Sequence, residues 1–284
     1  MSLKNPKWLN QYISKYKEGN QDTLINKINS KYKTKEIEKP SISIVIPAFN
    51  EEQTILSCLY SLINQQTKIK YEIIVINNNS TDRTEDLLNM LCIKHFNQNK
   101  SGPGPARQLG QEKALGKIIF TADADCYYPP GWIEIFYNVF KDTEVSLVYG
   151  KHYFIGTKDV PRWKLMIYEL FRNVVTEVRN IKRPFLNAHT LNMAYRKEIG
   201  LKIGFDMRDI RGSDGRFAFD FMNYGKIKYI RNKRAGTWTL PRTLYRNKQS
   251  LTGAFVMRLL KELKTLPNYF VKLKDHNTKT SSNK

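Results

Sequence analysis

Two carboxylates, Asp123 and Asp125, stand one residue apart where the apolar run Ile118-Ile119-Phe120 gives out, within KIIFTADADCYYPPGWI (117–133). Like charges at the exit of a buried strand repel each other and cost desolvation unless something positive sits between them. The pair therefore reads either as a solvated turn, since Pro129, Pro130 and Gly131 follow at once, or as oxygen ligands for a hard cation. Two more apolar runs end in crowded hydrogen-bonding groups: Pro47-Ala48-Phe49-Asn50-Glu51 and Asn77-Asn78-Asn79-Ser80-Thr81-Asp82. Cys126, beside the acidic pair, reads as a small packing residue rather than a ligand for a soft metal.

The elements around these groups decide between the two readings. SISIVIP (41–47) and YEIIVIN (71–77) are short β-branched runs closed by turn formers, and so predict strands. Ile55, Leu56, Leu59, Leu62 and Ile63 form a helical stripe within 51–65. A second helix is expected near Asp82, which can cap it with Glu85 three residues later. A weaker strand at 92–96, a helix at 105–115 and a strand at 117–122 follow. Strand and helix thus alternate through 41–125, which predicts a mainly parallel, doubly wound sheet. Ligands bind such sheets outside the carboxyl ends of the strands. Three strand exits rich in polar groups converge there, so the acidic pair is expected to be a site. After the Pro-Pro-Gly turn, Trp132 heads a helical pattern (Ile133, Phe136, Val139, Phe140) and is expected in the core rather than at a binding face.

The chain has 284 residues and a formal net charge of +21. A field of that sign attracts nucleic acid, anionic membrane or phosphorylated small molecules. Three cysteines, Cys58, Cys92 and Cys126, form no CxxC and suggest a reducing compartment, the cytoplasm. No signal-peptide core and no window of 18 apolar residues is present, so membrane contact would be peripheral, on the inner face. Residues 1–40 read as a helical appendage, with Trp8, Leu9, Tyr12, Ile13 and Tyr16 at helical spacing. Residues 241–274 combine apolar positions such as Phe255, Leu259 and Leu263 with Arg258, Lys261 and Lys264, a basic amphipathic pattern suited to an anionic membrane surface. An ordinary helix packed on the sheet explains the pattern nearly as well. Residues 275–284 read as a disordered tail.

Four stretches, SISIVIPAFNEEQTI, IIVINNNSTDRT, GPARQLGQEKALGKIIFTADAD and NMAYRKEIGLKIGFDMRDIRGSDGRFAFDFMNYGKI, resemble in order and spacing a family 2 glycosyltransferase of the GT-A type. The resemblance spans about 41–230 and implies a GT-A (Rossmann-like) α/β fold, a mixed, mainly parallel sheet with helices on both faces. It divides 41–240 into a nucleotide-sugar half (41–125) and an acceptor half (126–240). It implies transfer of a sugar from a nucleotide-diphosphate donor, UDP or GDP type, to a hydroxyl of a glycan or lipid-linked acceptor, with inversion and with Mn²⁺ or Mg²⁺. By the family's pattern Asp125 binds the metal, and Asp123 the ribose or a metal-bound water. Pro47, Phe49, Asn50 and Glu51 shape the nucleoside pocket, although Asn50 could equally serve as a helix N-cap. Asn77 and Asn79 stand where the family often has Asp and Gly. Arg107 follows Gly102-Pro103-Gly104-Pro105, a loop able to approach phosphate, and would pair with the donor; Gln108 replaces the family's Asn.

Aligned on Gly225-Lys226-Ile227, the last stretch places Asp214 on the family's Glu-Asp pair as general base, with Asp209 and Asp220 as alternatives. Ser213 replaces the Glu and Arg216 a second acid, and a loop carboxylate paired with Arg211 or Arg216 is the plain alternative for Asp214. His189, just before this block, reads as a hydrogen-bonded structural residue and not a metal ligand. No Gln-x-x-Arg-Trp occurs in 231–245, which predicts a single-sugar transferase. Rival readings are a nucleotidyltransferase, which should carry a Gly-rich phosphate loop where PAFNEE stands, and a catalytically inactive binding protein of the same fold. Nucleic acid is not an expected partner, because no recognition motif accompanies the charge.

Overall fold

The computed structural model describes residues 3–13, 21–32, 38–158, 160–208 and 212–242. Its centre is a seven-stranded sheet in the order β3-β2-β1-β4-β8-β6-β9. These strands are β1 (Ile42–Ala48), β2 (Tyr71–Asn77), β3 (Lys94–Asn97), β4 (Ile118–Thr121), β6 (Val145–Gly150), β8 (Met193–Arg196) and β9 (Lys226–Ile230). β1 runs parallel to β2 and β4, β2 to β3, and β6 to β9, while β8 is antiparallel to both its neighbours. One sheet therefore joins the two halves of the chain. β5 (Cys126–Tyr127), β10 (Thr237–Thr239) and β7 (His152–Phe154) form a small second sheet in that order.

Both faces of the large sheet are covered, which is why β1 and β2 read as continuous apolar runs rather than alternating ones. Val45, Ile74, Ile76 and Ile119 point to one face, where α5 (Pro103–Lys113), α8 (Lys197–Ile203) and α9 (Ser213–Phe221) supply Ala106, Ile199, Phe217 and Phe221. Ile44, Ile46, Ile73, Val75 and Phe120 point to the other, against α3 (Ile55–Ile63) and α6 (Trp132–Val139). α4 (Thr84–Asn89) lies between β2 and β3 in sequence, and the long α7 (Arg162–Lys182) precedes β8.

α1 (Lys7–Ile13) and α2 (Gln21–Lys31) pack on the α3 side: Leu9, Tyr12, Leu24, Ile25 and Ile28 are buried in the same core as β1. Trp132 is fully buried, with rings of Phe120 and Tyr128 at 5.0 and 4.4 Å and its Nε1–H donating to Asn192 Oδ1 at 2.7 Å. It is a core residue, as its helical spacing indicated. Residues 243–284, including most of the basic amphipathic stretch and the tail, lie outside the described residues, as do Asp209 and Arg211.

Candidate active site

The exits of β1, β2 and β4 lie side by side, because the ladder aligns Ala48 with Asn77 and Val45 with Thr121. The β1–β4 ladder ends at that second pair, so Pro47, which has no N–H to give, costs no ladder bond beyond it. The chain after β1 and the chain after β2 are then stitched together. Thr81 N–H donates to Asn50 Oδ1 at 2.7 Å, and Asn50 N–H to Ser80 Oγ at 3.1 Å. Glu51 N–H donates to Thr84 Oγ1 at 2.8 Å, and Glu52 N–H to Asp82 Oδ2 at 3.1 Å. Asn50 and Asn79 both take left-handed backbone, φ 54° and 59°, a region Asn tolerates better than most residues.

Asn50 is not a helix cap: α3 starts at Ile55, and residues 51–54 are spent on the stitching turn. Asp82 accepts from Thr84 N–H at 2.9 Å in the turn that enters α4, one residue ahead of the cap position Arg83, whereas Glu85 turns to Asn97. Asn77 is buried, accepting from Ser80 N–H and donating to Asn97 Oδ1, while Asn79 is exposed and donates to the Asn99 carbonyl. Phe49 stands 58% exposed at the rim. Asn78, which sequence reasoning passed over, is the buried clamp between the β2 and β3 exits: it donates to the Gln98 and Lys100 carbonyls and accepts from Gly102 N–H.

Gly102-Pro103-Gly104-Pro105 is not an irregular loop but the cap and first turn of α5. Pro103 is the first residue of α5, where its missing N–H is harmless. A Cβ on Gly104 would lie 2.0 Å from the Asp206 carbonyl oxygen, so this glycine lets the 205–208 loop close on the helix. The early start turns Arg107 inward. Its Nη2 donates to Asp123 Oδ1 at 3.2 Å, and its Nη1 lies 3.8 Å from Asp214 Oδ1. One guanidinium thus spans the β4 exit and the head of α9.

Asp214 sits in the first turn of α9, entered through Gly212 at φ 94°. Its Oδ2 accepts from both the backbone N–H and the Oγ1–H of Thr190, each at 3.1 Å. Asp214 is therefore partnered by Arg107 and Thr190, not by Arg216, which pairs with Asp220 at 3.3 Å four residues on. That ion pair draws Asp220 to Arg216. His189 is exposed and meets His152 edge-on, 5.4 Å between rings.

Asp123 is positioned from below: its N–H donates to Tyr128 Oη at 2.9 Å, and that hydroxyl donates to the Leu191 carbonyl at 3.1 Å. Its side chain lies deep in a crevice but keeps 31% of its surface open on one side. Burial raises its pKa, Arg107 pulls it back, and Asp214 and Glu51 add to the rise. Asp125 is pushed from 3.8 to about 6, by burial first and then by the charges of Asp123 and Glu51, against the pull of Arg242. Arg242 Nη1 holds Glu51 at 3.0 Å. Among the described residues it is a second cation at this crevice, one that the sequence did not reveal, 191 positions from its partner.

Asp123, Asp125 and Cys126 bring ligand atoms within 4.8 Å of one another. Burial and the neighbouring carboxylates hold the Cys126 thiol well above its ordinary pKa, and it donates to Asp125 Oδ1 at 3.4 Å. A protonated thiol is a poor ligand, so the two carboxylates are the groups here that could hold a cation. Two crowded carboxylates of raised pKa fit a hard divalent cation, which favours their ionised form.

Solved structures share this architecture. S. aureus TarS matches with a TM-score of 0.56 at 20% identity, over 81% of this chain and 72% of that one. The mannosyltransferase PcManGT from Pyrobaculum calidifontis, in complex with GDP-Man and Mn²⁺, matches with a TM-score of 0.60 at 16% identity, over 92% and 77%. The fold is the GT-A fold. The model of Glycosyl transferase family 2 matches residues 43–204, and the chain belongs to that family.

Among curated relatives, the poly(ribitol-phosphate) beta-glucosyltransferase of Bacillus spizizenii is 36% identical over 129 residues, 43% of this chain and 20% of that protein. Glycosyltransferase AglE of Haloferax volcanii is 29% identical over 186 residues, 62% of this chain and 59% of that protein. The matches thus span a fifth to about three fifths of these relatives' own length.

Proposed function

We propose that the protein transfers a single sugar from a nucleotide-diphosphate sugar of the UDP or GDP type to a hydroxyl of a glycan or lipid-linked acceptor, with inversion. The observation that carries this reading is the Arg107 bridge, which sets a donor-side carboxylate and a base candidate on one crevice. Asp214, its Oδ2 fixed by Thr190, takes the acceptor hydroxyl's proton as that oxygen bonds to the anomeric carbon. The bond from the anomeric carbon to the diphosphate breaks, and the diphosphate oxygen leaves with the electron pair. Arg107 offers N–H groups to that growing charge. A divalent ion, Mn²⁺ or Mg²⁺, held by Asp123 and Asp125 would neutralise the diphosphate. Pro47, Phe49, Asn50, Glu51, Asn77 and Asn79 form the nucleoside side.

Two findings on relatives support the donor class and the metal. TarS has been solved with UDP and with UDP-GlcNAc, and PcManGT with GDP-Man and Mn²⁺. The poly(ribitol-phosphate) glucosyltransferase match supports a role in cell-surface polysaccharide or glycoconjugate synthesis. On this reading the enzyme is cytoplasmic and works peripherally at the inner membrane face; among the described residues no helix is long and apolar enough to cross a membrane.

The test is turnover of a panel of UDP- and GDP-sugars by wild type and Asp214→Asn. The variant should bind donor as wild type does and lose about 10²–10⁴ in kcat. Unchanged turnover in the variant rejects Asp214 as the base. Wild type that binds donors but turns none over supports the inactive-module reading instead.

A further inference from the structure

α7 is amphipathic the wrong way round for a helix that belongs wholly to a globular surface. Trp163, Ile167, Leu170, Val174 and Ile181 are all exposed, at 48–67% of their surface. Their spacing of four, three, four and seven residues keeps them within one narrow stripe along the helix. The opposite side faces inward with Leu165, Val175 and the buried Arg162–Glu169 ion pair at 2.7 Å. Exposed Lys164 and Lys182 flank the stripe near its two ends, five turns apart on the same side. Scattered exposed apolar residues are ordinary, but a line of four on successive turns, resumed at Ile181 beyond the Glu177–Arg231 ion pair, marks an interaction surface.

We infer that α7 is the element by which this protein lies on an anionic lipid bilayer, its apolar stripe sunk at the headgroup boundary. Charge selects this occupant. Another copy of the chain would bring +21 against +21 and set Lys164 and Lys182 against cations. The chain's own segment beyond Arg242 is also cationic, with Arg246, Lys248, Arg258, Lys261 and Lys264. An anionic bilayer takes up the apolar stripe and the flanking lysines together. With an apolar face on one side only, the helix is suited to lie in the interface rather than span it.

The placement also deepens the acceptor reading on which it partly rests. Asn187, on the segment leading to Thr190, donates to the Thr176 carbonyl and to Asn180 Oδ1 of α7. The helix that meets lipid is therefore tied to the stretch that holds Asp214, on the side where a lipid-linked hydroxyl would arrive.

Flotation of the full chain with phosphatidylcholine vesicles, with and without phosphatidylglycerol, tests this. Trp163 supplies a second readout, since the other three tryptophans, Trp8, Trp132 and Trp238, are buried or half-buried. Binding is expected to phosphatidylglycerol vesicles and to weaken with salt. The emission should shift to the blue on binding, and that shift should vanish in Trp163→Phe. The triple variant Ile167→Gln, Leu170→Gln, Val174→Gln should melt like wild type and bind on the order of tenfold or more weakly.

Absence of vesicle binding overturns the inference. So does a triple variant that binds as wild type, which would shift the membrane role to residues 243–274. A dimer that the triple variant abolishes would make the occupant a second copy. A Trp163 closed to acrylamide in the free protein would mean that the chain covers its own stripe. The readout is binding alone, so a protein inactive with every donor would overturn the function proposed above and leave this inference standing.

Discussion

Asp125→Asn tests the electrostatics of the crevice most sharply, because it should stabilise the metal-free protein while removing one of the two carboxylates proposed to hold the metal. Burial and the charges of Asp123 and Glu51 lift this carboxyl from 3.8 to about 6. A group whose pKa rises on folding contributes stability below its unfolded value and loses it as pH climbs through the folded value. Without metal, the protein should therefore weaken between about pH 4 and about pH 6 and carry the full penalty above that. Roughly two pKa units correspond to about 3 kcal/mol, trimmed to about 2 kcal/mol because Asp125 is only half-buried. Asn preserves the shape without the charge. In EDTA at about pH 7.5, thermal denaturation should show Asp125→Asn melting about 4–8 °C above wild type. At about pH 4 the two should coincide, since Asp125 is then protonated in wild type too. A variant melting at or below wild type at the higher pH, or a gain that persists in acid, would refute the reasoning.

Other substitutions probe the supports. Thr190→Val removes the hydroxyl that orients Asp214 and should lower kcat about tenfold, the worth of one such hydrogen bond, with donor KM unchanged in steady-state kinetics. Gly104→Ala drives a Cβ into the Asp206 carbonyl and should cost about 1–3 kcal/mol in urea denaturation. Glu169→Gln leaves the buried Arg162 guanidinium without its counter-charge, and about 3–5 kcal/mol of stability should be lost in the same assay.

The sheet's first half was legible because β1, β2 and β4 are buried on both faces, and that requirement writes itself as β-branched runs with polar exits. Boundaries drifted where capping chemistry overrode periodicity. Pro103 starts α5 two residues before its apolar pattern does, and the turn at 51–54 delays α3 to Ile55. The strands of the small sheet, two or three residues each, are too short to show a period. The packing of α1 and α2 onto α3 depends on tertiary complementarity: the spacing from Trp8 to Tyr16 showed a helix without showing its partner, and α2 was not read from the sequence at all. Within the site, the acidic pair was visible as a local pattern. Arg242 and Thr190 were not, because each acts on a residue far away in sequence and lies in a stretch with no motif around it.

As proposed above, Asp123 and Asp125 hold a metal on which the nucleotide diphosphate binds. Thermal shift with UDP, GDP, CDP and dTDP, each with and without Mn²⁺, tests it most directly on wild type and Asp125→Asn. Wild type should be stabilised by one nucleotide in the presence of metal, by about 2.7 kcal/mol at a hundredfold excess over Kd, and the variant should show no such gain. Stabilisation that is equal without Mn²⁺, or that survives in Asp125→Asn, would contradict the claim.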